Sequence, residues 1–67
     1  MTIDVARAKA RASAYQWCVP CWIVVDRLAR GLVVFCGPHD DYLESQGNRF
    51  FPLEIHYPEG ATESKIG

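Results

Sequence analysis

The chain has 67 residues, of which 49% are hydrophobic and 22% charged, with a formal net charge of −1. A chain of this size forms one domain, and folding removes only about 60% of its unfolded surface from water, so a staple is expected. The apolar content excludes intrinsic disorder, no apolar run approaches the roughly 18 residues of a membrane span, and MTIDVARAKARASAYQ lacks the apolar stretch of a signal peptide; the expectation is a cytoplasmic protein with no membrane association.

From Asp4 to Tyr15 the sequence DVARAKARASAY is rich in alanine and free of Gly and Pro. It predicts a helix over 4–15 with Thr2 or Asp4 as N-cap. Val5, Ala8, Ala12 and Tyr15 recur at helical spacing and predict its apolar face, while Arg7, Lys9 and Arg11 lie on other sides. Trp17-Cys18-Val19-Pro20-Cys21-Trp22 follows, a C-x2-C pair bracketed by tryptophans. The runs from Trp22 to Val25 and from Leu32 to Phe35 are β-branched and aromatic, and the turn residues between them complete a hairpin signature. Gly31 is expected to take the positive φ of that turn, with Arg27 and Arg30 projecting at its tip.

Cys36-Gly37-Pro38-His39 is a C-x2-H pair at the start of a predicted short helix. Pro38 suits the first turn, Asp40 and Asp41 favour the positive end of the dipole, and Gly47 supplies the stop. His39, Tyr42, Leu43 and Gln46 share one face of that helix. Beyond Gly47, Phe51, Leu53, Ile55 and Tyr57 alternate with Pro52, Glu54 and His56, which predicts a half-buried strand over 50–57. Pro52 places that strand at an edge. Residues 58–67 are polar and read as a flexible tail. The domain is therefore expected to span 1–57, with a zinc module over 17–46.

Cys18, Cys21, Cys36 and His39 form two ligand pairs separated by fourteen residues. Three thiolates and an imidazole fill a tetrahedral zinc shell with none left over. His56 is a reserve ligand that strand alternation directs outward. A structural Zn2+ contributes about 10–16 kcal/mol of apparent binding energy, enough to decide whether so small a chain folds. A closed shell keeps no open coordination position, so no enzyme activity is expected.

A cysteine knuckle, a hairpin and two ligands at the start of a helix is a pattern that resembles treble-clef zinc fingers from Cys18 to Gln46. Val34-Phe35-Cys36-Gly37-Pro38-His39 is similar to their second half. The resemblance implies a small zinc-stabilised α+β fold: N-terminal helix, zinc knuckle, β-hairpin, ligand-bearing helix and C-terminal edge strand. Small free-standing bacterial members of that class are regulators that bind another protein or DNA. Trp22 stands where many knuckles have Gly, and Pro20 lies one place later than in the common form.

Three functions follow. The first is a structural zinc module acting as a regulator or inhibitor through a protein partner, with Trp17, Trp22, Arg27, Arg30 and Phe51 as contacts. The C-terminal edge strand could also pair two copies into a dimer. The second is a nucleic-acid-binding zinc finger using Arg7, Lys9, Arg11, Arg27 and Arg30, since residues 1–35 carry five basic and two acidic groups. The third is dithiol redox chemistry, because WCVPC also resembles the thioredoxin active-site pattern, in which the N-terminal cysteine attacks disulfides.

Overall fold

The computed structural model describes residues 1–37, 45 and 47–66. They form a helix, α1 (Ile3–Trp17), and four strands, β1 (Cys21–Asp26), β2 (Gly31–Cys36), β3 (Phe50–His56) and β4 (Thr62–Ser64). The strands make one antiparallel sheet in the order β2-β1-β3-β4. The coarse α+β expectation therefore holds. The short helix expected after Pro38, with His39 on it, lies outside the described residues.

Helix α1 begins one residue earlier and ends two later than the predicted 4–15. Thr2 is the N-cap: its extended backbone lets Oγ1 accept the N–H of Val5 at 3.3 Å, satisfying an otherwise unpaired donor. The predicted apolar face is not the buried one. Ala6, Ala10 and Ala14 are fully buried, whereas Tyr15 is 79% exposed. Alanines one turn apart make a smooth stripe on which the helix can settle close to the sheet, and the larger side chains are turned outward. Beneath the stripe lie Cys21 and Ile23 of β1, joined by Leu32, Val34 and Cys36 of β2 and by Leu53 of β3.

The predicted hairpin forms, with Trp22 opposite Phe35 through Val25 opposite Leu32. Its left-handed residue is Arg30 (φ 55°), not Gly31. Asp26 explains the tight closure: its carboxylate accepts the N–H groups of Leu28 (3.0 Å) and Ala29 (3.3 Å), and both Oδ atoms take Arg49 at 3.2 Å. Arg49 holds the Asp26 carboxyl below the usual carboxylate range.

Strand β3 departs from simple alternation. Its register against β1 shifts between Ile23 and Val24, so that Glu54 faces Ile23 while Pro52 faces Val24 and Leu53 is the extra residue. Such a bulge reverses which side chains point inward. Glu54 and His56 turn toward α1, opposite Ile23 and Cys21, while Ile55 lies opposite Trp22 on the far face. That far face carries a second cluster, Val24 and Phe50 with Trp22, Val33 and Phe35, in which the Phe35 and Phe50 rings meet edge to face at 5.1 Å. The prediction of β3 as an edge is also corrected, because its C-terminal half is flanked by β1 and β4. Thr62–Ser64 adds a strand that the polar sequence did not signal.

Candidate functional site

Helix α1 ends at Cys18, whose left-handed backbone (φ 54°, ψ 39°) turns the chain out of the helix. The side chain is exposed, and its thiol donates to the Tyr15 carbonyl at 3.8 Å. Val19 and Pro20 then lead into β1, where Cys21 is fully buried. Cys21 and Cys36 are register partners at one end of the hairpin, with α-carbons 4.1 Å apart, and their sulfurs are joined in a disulfide. Paired positions on neighbouring strands point to the same face, which brings the two thiols together beneath the end of the helix. The Gly37 N–H donates to the Pro20 carbonyl at 2.9 Å and continues the pairing one step past the bridge.

This overturns the zinc shell. Sulfurs bonded to each other carry no thiolate for a metal, and among the described residues no group of three or more His, Cys, Asp or Glu side chains can hold one. His39 lies outside the described residues. His56, the reserve ligand, is buried and has both ring nitrogens engaged: Nε2 lies 2.8 Å from Glu54 Oε1 and Nδ1 3.3 Å from Thr62 Oγ1. Cys18, Cys21 and Cys36 are thus one exposed thiol and one disulfide. The Zn2+ cofactor is corrected, and with it the two functions that rested on a zinc module, the structural regulator or inhibitor and the nucleic-acid-binding zinc finger.

The predicted contact residues are scattered. Trp17 is 65% exposed and stands next to Cys18. Trp22 is half-buried in the far-face cluster with Lys65 Nζ 5.7 Å from its ring. Phe51 is exposed with the Arg27 guanidinium 5.5 Å above it. Arg30 sits in the hairpin turn. Of the basic residues on α1, Lys9 and Arg11 have exposed side chains, whereas Arg7 is committed to Glu54 through Nε (2.9 Å) and Nη2 (3.3 Å).

Sequence reading missed the polar network of Arg7, Glu54, His56 and Thr62. One signal was present: Glu54 and His56 are two apart on a strand and must share a face. The Arg7 guanidinium, with help from His56, holds the Glu54 carboxyl below the usual glutamate range. A carboxyl depressed in the folded state stabilises it above the unfolded pKa and loses that contribution as pH falls through the folded value. Thermal unfolding followed from pH 7 downward should therefore show stability falling once the pH drops below about 4.3, the unfolded glutamate value. The fall should be shallower in Glu54→Gln, with the remainder assigned to Asp26 and Glu63, whose carboxyls are depressed in the same sense.

No family model, curated protein or solved structure matches the chain. No helix among the described residues is long and apolar enough to cross a membrane.

Proposed function

We propose that this protein is a thiol–disulfide exchange carrier whose partner is another protein's dithiol. The observation that carries the reading is an exposed thiol, Cys18, three residues before one half of a buried disulfide, Cys21–Cys36. Tyr15 and Trp17 are both largely exposed beside that thiol and give a partner aromatic surface to dock on.

In the exchange, the Cys18 thiolate attacks Cys21 Sγ. A Cys18–Cys21 bond forms, the Cys21–Cys36 bond breaks, and Cys36 leaves as a thiolate that takes a proton. A partner thiolate then attacks Cys18 Sγ and releases Cys21. The partner's second thiolate attacks its own mixed disulfide and releases Cys18. The partner gains one disulfide and this chain ends with its bridge reduced, two electrons having passed between them. Without a recycling oxidant each chain completes one such event, which makes it a carrier and not a turnover catalyst. The bridge joins Cys21 to Cys36, so the C-x2-C pair acts as the relay from the buried bond to the surface.

The oxidised protein is to be mixed with a reduced two-cysteine peptide, quenched in acid and mapped by mass spectrometry. One peptide disulfide per chain and a trapped Cys18–Cys21 species are expected. Cys18→Ser, which keeps the bridge, should slow peptide oxidation at least about tenfold, because exchange rate depends on access of the attacking and leaving sulfurs. An unchanged rate in Cys18→Ser would eliminate the relay.

A further inference from the structure

The interior polar network on the α1 side of the sheet contains no cysteine, and its hydrogen-bonding roles follow from its geometry. Glu54 is ionised and can only accept. Its Oε1 lies 2.9 Å from Arg7 Nε and 2.8 Å from His56 Nε2, and Oε2 takes Arg7 Nη2 at 3.3 Å. His56 Nε2 must therefore carry a hydrogen. In the neutral ring Nδ1 is then a lone pair, and it faces Thr62 Oγ1 at 3.3 Å. With the ring neutral, the Thr62 hydroxyl has Nδ1 as an acceptor within reach, on a base whose tautomer is held by a carboxylate that is itself held by a guanidinium.

Placement makes the hydroxyl usable. His56 and Glu54 are 3% and 9% exposed, whereas Thr62, the register partner of His56, is exposed on the outermost strand. Among the described residues no buried side-chain nitrogen or oxygen lacks a hydrogen-bond partner, so the network is complete without further groups. The β3–β4 turn just ahead of Thr62 walls a groove of about 580 Å³ against α1, with Tyr15, Tyr57, Ala8 and Ala12 giving apolar surface and Arg11 and Glu59 at its margin. Thr62 lies two residues beyond Gly60, which lines that groove.

We infer that Thr62 is the nucleophile of a Thr62–His56–Glu54 relay that accepts an acyl group from an activated ester, with the adjoining groove receiving the apolar part. Thr62 Oγ bonds to the acyl carbon while its proton passes to His56 Nδ1. The ester C–O bond breaks, and the departing alcohol or phenol takes that proton. Water repeats the sequence in reverse and releases the acid. His56 is the base and Glu54 the positioning residue. Arg7 fixes Glu54 and touches neither the base nor the nucleophile. General-base assistance contributes about 10²–10⁴-fold, so a slow, single-site acylation is expected.

The test uses the intact chain and p-nitrophenyl acetate, reading p-nitrophenolate release together with the mapped site of acetylation. One acetyl group on Thr62 is expected, absent in Thr62→Val, retained in Thr62→Ser and slowed about 100-fold in His56→Gln. Ser64, on the same strand with its hydroxyl directed to the Ile66 carbonyl at 3.4 Å, is an internal control that should stay unlabelled. Thr62 is exposed, so its variants should keep the fold, which circular dichroism verifies, and they carry the test if His56→Gln unfolds. Acetyl confined to lysines or the N-terminus, equal labelling of Ser64, or an unchanged rate in a folded His56→Gln would overturn the inference.

Discussion

Reducing the Cys21–Cys36 bridge is expected to destabilise the fold by about 3 kcal/mol, the value for a cross-link closing a loop of about 15 residues. The cysteines are 15 positions apart. At roughly 0.05–0.15 kcal/mol per residue, total stability is on the order of 3–10 kcal/mol, so this loss takes a large fraction of it. Urea unfolding with and without dithiothreitol measures the effect. The reduced protein and Cys36→Ser should share a lowered midpoint, Cys18→Ser should keep the oxidised one, and a chelator should leave the oxidised midpoint unmoved. Equal midpoints for oxidised and reduced chains would mean the bridge adds nothing to the fold.

Ile23→Ala should be comparably damaging, costing about 2–5 kcal/mol. Ile23 is fully buried in the middle of β1, between the alanine stripe of α1 and the strands on either side. Its neighbours on the helix, Ala6, Ala10 and Ala14, have no longer side chain that could swing into the space. The cavity should stay open, which puts the cost toward the upper part of the range. Val5→Ala is the natural comparison, because Val5 lies on the exposed side of the same helix and should change stability by less than about 0.5 kcal/mol. The difference between the two unfolding midpoints tests whether α1 is oriented as described.

Local chemistry made several elements legible. Alanine content gave the helix, β-branched runs gave the hairpin, and the aromatic run after Gly47 gave β3. What the sequence left open depends on the third dimension. A C-x2-C and a further cysteine satisfy metal and disulfide alike, and only the register of Cys21 against Cys36 separates them. Alternation in β3 placed His56 outward because it could not show the extra residue at Leu53, which turns Glu54 and His56 inward. The helix face was misjudged for a related reason: Val5 and Tyr15 are more apolar in bulk than Ala6, Ala10 and Ala14, but close approach to a sheet selects the smaller set. Thr62 carried no signal by itself, since its role exists only across a strand pair from His56.

The outer flank of β3 has a consequence for self-association. Its C-terminal half is covered by Thr62–Ser64, a short polar strand whose Glu63 pairs with Lys65 at 3.0 Å, and Lys65 N–H donates to the Leu53 carbonyl at 2.8 Å. Its N-terminal half carries Pro52, which has no N–H to offer an incoming strand. Short strands, edge charges and edge prolines are means by which sheets resist amyloid-like growth. Between them, Thr62–Ser64 with Lys65 and one proline shield the apolar run of β3 from extension by another copy of the chain.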